Sequence, residues 1–275
     1  PSPGLELLIF YYPEWPWERS TELLMYKIGG IIVEGASNII YGNTVMDSWI
    51  GITSASNFII HNNLINNTLF QAQGSGLNIW FSDYPYGGNY WSNYTGPDQF
   101  SGSYQNETGS DGIGDIPYVI NANNQDYYPL TAPISIFDAG IWNETSYTIE
   151  IVSNSTVSDL YLNPEEGAFL KFNVTGVNET KGFCRVTIPK DLLWAEDGQW
   201  NVLVGDQQVN YTIIPDGNDI YLYFTYDHST KTVTIQGTHV IPELPLNLIL
   251  PLFMIATLIA VVVYKKKHTL MANNG

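Results

Sequence analysis

The chain of 275 residues holds one cysteine, Cys184. No intrachain disulfide can form, so stability has to come from packing, and no thiolate cluster can hold a soft metal. Basic residues are nearly as scarce. Ten Lys and Arg stand against 27 Asp and Glu, and none lies between Lys27 and Lys171. Three of the ten form Lys265-Lys266-Lys267, beyond the last acid, so residues 1–243 carry 27 acids less 7 bases, a formal charge of −20. A body of that sign repels phosphate backbones, which excludes nucleic acid as a partner. Long apolar runs are absent except for Leu244–Tyr264. The chain begins at Pro1 rather than Met, which points to a fragment lacking its own start and any signal peptide.

What is present is repetition. Gly30-Ile-Ile-Val, followed by Ser37-Asn-Ile-Ile-Tyr-Gly-Asn43-Thr-Val45, matches Gly51-Ile-Thr, followed by Ser56-Asn-Phe-Ile-Ile-His-Asn62-Asn-Leu64. The Ser-Asn pair and the second Asn recur at an offset of 19, the opening Gly-Ile at 21, and Ser75–Trp80 begins a third turn. A period near 20, with short β-branched runs between Asn and Gly, predicts parallel β-helix coils over residues 30–86. Stacking would set Asn38 over Asn57 and Asn43 over Asn62 as side-chain amide ladders. Ile39, Val45, Ile52, Ile59 and Leu64 are the expected core, and His61 the expected outward-facing turn residue.

Residues 87–132 follow as a closing segment dense in Gly, Asn, Asp, Ser and aromatic residues. A loop of that length needs something to order it, and Tyr90, Trp91, Tyr94, Tyr118, Tyr127 and Tyr128 are the expected anchors. The strings Gly88-Asn-Tyr-Trp-Ser-Asn-Tyr94, Asp111-Gly-Ile-Gly-Asp115 and Tyr128-Pro-Leu130 resemble the closing part of archaeal NosD-like right-handed parallel β-helix surface proteins. That resemblance covers about residues 30–132 and implies a fold more than an activity. The family's association with copper does not carry over, since the region holds one His, one Met (Met46) and no Cys. Asp98, Asp111 and Asp115 offer hard oxygen ligands on glycine-permitted turns, and calcium is the cofactor they would take. The competing reading makes them caps of backbone N–H groups. Sugar-cleaving β-helices need a cationic base or two facing carboxyls. These coils have no Lys or Arg, and Asp47 and Asp83 do not sit at matching repeat positions, so no catalytic residue is assigned.

From residue 133 to 241 the texture changes to short alternating strands, such as Tyr147-Thr-Ile-Glu-Ile151, with turn signals between them. About eight strands at this spacing predict an antiparallel β-sandwich. Gly182–Lys190 and Tyr223–Thr230 resemble an Ig-like module of archaeal surface proteins. Cys184 shares a face with Val186 and Ile188, which makes it a buried hydrophobe rather than a nucleophile. Residues 1–29 give mixed signals, with a candidate helix cap at Ser20.

Glycosylation sequons begin at Asn66, Asn93, Asn106, Asn143, Asn154, Asn173, Asn178 and Asn210, all before the apolar run. Residues 244–264 carry no charge and would span about 31 Å as a helix, with residues 265–275 as a cytoplasmic tail marked by the lysine triplet. Pro242-Glu243-Leu244, the apolar run and the basic cluster together resemble an archaeal sorting signal, with Leu244 where that signal has Phe. The expected fold class is therefore all-β: a partial right-handed parallel β-helix, an antiparallel sandwich and one C-terminal transmembrane helix. The expected protein is single-pass in the cell membrane with its β domains outside. Its expected role is structural, adhesive or glycan-binding, with cell-surface glycans as the partner class. Rival readings are a polysaccharide lyase or hydrolase with catalytic coils upstream of Pro1, and a protein that binds copper or calcium.

Overall fold

A computed structural model of the chain describes residues 30–142, 144–164 and 166–241, with Met254, Thr257 and Ile259 beyond them. The first coil contributes β1 (Ile31–Ile32), β2 (Ile39–Tyr41) and β3 (Thr44–Met46). The second contributes β4 (Ile50–Ala55), β5 (Phe58–Ile60) and β6 (Asn63–Ile65), and the third β7 (Phe70–Ser75) and β8 (Tyr90–Trp91). Like strands pair in parallel: β1 with β4 and β7, β2 with β5, and β3 with β6 and β8. The register pairs Ile31 with Ile52 and Ile39 with Phe58, which are the offsets of 21 and 19 in the sequence. The third coil breaks the period, pairing Asn63 with Tyr90.

Coil corners have a common local cause. The residue before each corner polar side chain is left-handed: Ser37, Gly42, Asp47, Ser56, His61 and Asn66 all have φ between 51° and 70°. A left-handed residue turns the chain sharply, and the next residue can then point its side chain along the stack. The coil core contains Ile40, Val45, Ile52, Ile59, Leu64, Trp80 and Trp91. Here one expectation is corrected. Ile39 is 65% exposed and its neighbour Ile40 is 5% exposed, because β2 is only three residues long and the inward position is its middle one.

The closing segment adds two hairpins, β9 (Phe100–Ser101) with β10 (Glu107–Thr108), and β11 (Tyr118–Asn121) with β12 (Asn124–Asp126). Trp91 anchors it as a buried ring, whereas Tyr127 is 49% exposed.

Beyond it, β13 (Ile134–Trp142), β14 (Thr145–Ser153), β15 (Thr156–Leu162), β16 (Phe169–Thr175) and β17 (Lys181–Pro189) open the second module. They are followed by β18 (Leu193–Trp194), β19 (Asn201–Val204), β20 (Gln207–Gln208), β21 (Tyr211–Pro215), β22 (Asp219–Asp227), β23 (Lys231–Gln236) and β24 (His239–Val240). Two five-stranded antiparallel sheets result, ordered β13-β14-β17-β22-β21 and β15-β16-β23-β19-β20. Their shared core includes Ile149, Ile151, Phe172, Cys184, Val186, Phe224 and Val233. A third cluster of Ile113, Leu130, Ala132, Ile134 and Val152 welds the closing segment to the sandwich.

The C-terminal expectation is overturned. Among the described residues no helix is long and apolar enough to cross a membrane, so the transmembrane element, the membrane as partner and the single-pass localisation all fall. The expected span 244–264 lies outside the described residues apart from Met254, Thr257 and Ile259, as do the tail 265–275 and residues 1–29.

Candidate functional site

Two polar systems are buried, and they differ in kind. The first follows the coil corners. Asn38 donates its N–H and Nδ2 to Asn57 Oδ1 at 2.8 and 3.0 Å, Asn57 N–H donates to Asn78 Oδ1 at 3.0 Å, and Asn78 donates both to Asn124 Oδ1 at 3.1 Å. On the next corner Asn43 donates both groups to Asn62 Oδ1 at 3.0 and 2.9 Å, and Asn62 donates both to Asn89 Oδ1 at 3.0 Å. The third corner has a single step, Ser48 N–H to Asn67 Oδ1 at 3.0 Å. Each asparagine thus does for its neighbour what a strand ladder cannot do at a bend: it satisfies the turning N–H.

The closing segment supplies the last rung of both longer ladders. Asn124 also accepts from Trp80 Nε1 at 3.0 Å. Asp126 stands where the other ladder has Asn. Its Oδ2 accepts from Asn89 N–H at 2.7 Å and Trp91 Nε1 at 2.9 Å, and its Oδ1 from Tyr128 N–H at 3.1 Å. Complete burial pushes this carboxyl up to about 7 in spite of those donors. These four rungs, Asn78, Asn89, Asn124 and Asp126, were not legible in the repeat. The third coil is irregular, and two of them come from the hairpin β11–β12.

The second system lies where coils meet sandwich. His61 is 1% exposed, which corrects its expected outward turn position. Its Nδ1 lies 2.9 Å from Glu150 Oε2, its Nε2 lies 3.1 Å from the Tyr86 carbonyl, and its ring stacks on Tyr86 at 4.2 Å. An acceptor oxygen thus faces each ring nitrogen. The Tyr41 hydroxyl donates to Glu150 Oε1. Burial alone would raise the Glu150 carboxyl, but the hydrogen bond and charge of His61, with Tyr41 and Arg185, hold it below the usual range. Burial is likewise the largest reason the Tyr41 hydroxyl is raised, with the Glu150 charge adding to it.

Arg185 is the other buried charge. At 1% exposed, it donates to the Pro85 carbonyl and lies over the Tyr221 ring at 4.3 Å. Gly112 permits this. Its φ is +86°, and a Cβ there would sit 2.9 Å from Arg185 Cδ. Between the two charged groups Asn63 clamps the first sandwich strand, donating Nδ2 to the Ile134 carbonyl and accepting Ile134 N–H, both at 2.8 Å. Glu150 occupies the face of β14 opposite Ile149 and Ile151. On that face Glu150 meets Tyr41 and His61 of the coils, and Val152 packs with Ile113 and Leu130 of the closing segment.

The expected calcium ligands are not brought together as a metal site. Asp98 accepts the N–H groups of Asp111 and Gly112 at 3.0 and 2.9 Å, Asp111 accepts Ile113 N–H at 2.9 Å, and Asp115 accepts those of Gln99 and Phe100 at 3.0 and 3.2 Å. Among the described residues no group of three or more His, Cys, Asp or Glu could hold a metal ion. The carboxylates cap main chain instead, and burial with the nearby Asp111 charge pushes Asp98 up to about 7 against its backbone hydrogen bonds.

The sequons divide by their side-chain bonds. Asn66, Asn106, Asn178 and Asn210 are exposed, and Asn93 and Asn154 are exposed but bonded through their side chains. Asn93 Oδ1 accepts from Tyr118. Asn154 is bonded to Lys181 and Phe183, Asn173 to Asp159 and Thr232, and Asn143 lies outside the described residues. Asp47 and Asp83 are exposed and lie on separate turns.

Two clefts open on the surface. One of about 690 Å³ is bounded by Trp194, Trp200, Ile213 and Lys190 at one end of the sandwich. The other, about 380 Å³, lies in the closing segment between Asn93–Pro97 and Ile116–Val119. No family model, curated protein or solved structure matches this chain.

Proposed function

We propose that the protein is a non-catalytic structural module, in which a short β-coil stack and a sandwich are held as one rigid unit. The observation that carries this is the placement of its charges. His61, Glu150 and Arg185 are buried ionisable groups, and neither cleft is lined by any of them. Groups poised for chemistry sit where a substrate can reach them. These three instead bond across the contact between coils and sandwich, joining Tyr41, His61 and Pro85 on one side to Glu150 of β14 and Arg185 of β17 on the other. The motif resemblances to NosD-like and Ig-like surface proteins favour the same structural or adhesive role.

The test is cooperativity. Hydrogen exchange along a denaturant series should show the amides of β4–β6 and of β14–β17 opening in one shared transition. Glu150→Leu should separate it into two. Two independent transitions in the unaltered protein would sink the proposal.

A further inference from the structure

The cleft in the closing segment has the makings of a ligand site. Its floor is aromatic. The Tyr118 ring stacks on buried Trp91 at 4.2 Å and 14°, and Tyr94 meets Tyr118 edge-on at 6.5 Å. Both rings are held rigidly. Tyr94 donates its hydroxyl to the Ile116 carbonyl at 2.7 Å, and its ring passes so close to Gly96 and Gly114 that a Cβ at either would collide with it. Tyr118 donates to Asn93 Oδ1 at 3.1 Å.

The rim is polar and uncommitted. Asn93 and Thr95 are exposed, and among the described residues the Asn93 Nδ2 meets no acceptor and the Thr95 hydroxyl no partner. Pro97 and Pro117 wall the two sides with stiff apolar surface. Fixed aromatic and apolar walls with a few free hydrogen-bonding groups are the composition of a small-ligand site.

Charge then selects the ligand. No Lys or Arg lies between Lys27 and Lys171, and the cleft's only ionisable side chains are Tyr94 and Tyr118. Burial raises both hydroxyls, which keeps them neutral. Asp98 and Asp115 flank the cleft in sequence and give it a negative setting. A phosphate, sulfate or uronate would find no cation there. A sugar ring presents one apolar C–H face to an aromatic floor and hydroxyls at its edge to amide and hydroxyl groups.

We propose that this cleft binds an uncharged glycan, one or two residues of a neutral oligosaccharide lying across Tyr118 and Tyr94 with Asn93 and Thr95 bonding its hydroxyls. The coil face is a poorer candidate. Its exposed row is Ile39, Phe58 and Ile79, which is mostly aliphatic and offers no donors.

The test uses the full chain made without N-glycans, titrated with hexasaccharides of β-1,4-glucose, β-1,4-N-acetylglucosamine and α-1,6-mannose, and with oligogalacturonate as the anionic comparison. Calorimetry reads binding, and tryptophan fluorescence reports Trp91 beneath Tyr118. The expected result is saturable binding of at least one neutral sugar, weakened about tenfold in Thr95→Val, with oligogalacturonate at least tenfold weaker. Tyr118→Ala should abolish binding. Should that variant fail to fold, Thr95→Val alone decides, because its side chain is exposed and carries no structural bond. No saturable neutral sugar, binding that Thr95→Val leaves within twofold, or oligogalacturonate binding as tightly as the neutral sugars would each overturn the proposal. None of these outcomes bears on the cooperativity of the two modules, so the structural reading stands or falls separately.

Discussion

The coils bury neutral amides, and the junction buries charges. In the coils, Asn57 and Asn62 are each almost fully inaccessible, yet each amide oxygen accepts from the asparagine one rung away on one side, each backbone N–H donates to the asparagine on the other, and the Nδ2 groups reach main-chain carbonyls nearby. At the junction His61, Glu150 and Arg185 each have a few chemically distinct partners, most of them on another part of the chain. The same problem, a polar group with no water, is solved once by repetition and once by pairing. Repetition spreads the consequence of losing one member over its neighbours. Pairing concentrates it, because the orphaned partner is a full charge in a dry interface.

The largest effect should therefore come from splitting the pair. His61→Leu leaves the Glu150 carboxylate with only the Tyr41 hydroxyl, and breaking a buried pair this way costs about 3–5 kcal/mol. The double variant His61→Leu/Glu150→Leu should recover most of that loss, since neither charge is then stranded. Urea unfolding of the two variants measures the difference. A single-variant cost below about 1 kcal/mol, the upper end for exposed pairs, would erase the contrast between the two regions.

Next in size is the ladder. Asn62 accepts from Asn43 and donates to Ile40, Ile60 and Asn89, so Asn62→Leu strands several buried groups at about 1–3 kcal/mol. Asn210 is exposed and its backbone is not left-handed, so Asn210→Ala should stay within about 0.5 kcal/mol. Equal melting midpoints for the two variants would mean that the ladder carries no stability.

How much of each region the sequence reveals follows from the same contrast. Asn38, Asn43, Asn57 and Asn62 are visible because a ladder needs like residues at a fixed offset, and 19 is readable without a structure. Cys184 is legible for a similar reason, since alternation along β17 puts it on the face of Val186 and Ile188. The junction has no such signature. His61 and Glu150 are 89 positions apart, and Arg185 meets Pro85 across 100. Nothing local distinguishes a histidine that turns a corner into solvent from one that turns it into another module. The aspartates misled for a related reason: an acid-and-glycine rhythm serves both a cation and a backbone nest, and the choice depends on which N–H groups the fold brings near Asp98 and Asp115.

A third effect separates the regions by pH. Glu150 is held low, so its contribution is present above the ordinary carboxylate range near 4.5 and is lost as pH falls through its folded value. Asp98 and Asp126 are pushed up from 3.8 to about 7, so the folded state keeps protons there that the unfolded chain releases. Their contribution is greatest at low pH and declines as pH rises from about 4 to 7. The melting midpoint should then peak in mildly acidic buffer and fall on both sides. Asp126→Asn should flatten the fall toward pH 7. It should also lower the midpoint overall, because an amide that keeps its oxygen toward Asn89 and Trp91 turns its NH2 toward Tyr128 N–H. A midpoint that rises steadily from pH 4 to 7 would assign control of stability to other groups.

The smallest effect should come from calcium, and it tests whether the closing segment belongs with the amide-built region or the charged one. A hard cation binds where several carboxylate oxygens converge with free lone pairs. Here Asp98 and Asp115 already receive two main-chain N–H groups each, and Asp111 caps Ile113 beside the buried Arg185. A calcium ion would have to pull these oxygens from donors that order the segment, and the Arg185 guanidinium would oppose its charge. Ligand binding to the folded state alone raises stability by RT ln(1 + [L]/Kd), about 2.7 kcal/mol at a hundredfold excess over Kd, so a real site would be plain in a melting curve. The curves in EDTA and in millimolar calcium should superimpose, and Asp111→Asn should lower the midpoint equally in both. A midpoint that drops in EDTA and returns with calcium would show that these carboxylates reorganise around a cation, and the closing segment would then belong with the charged junction rather than with the ladders it completes.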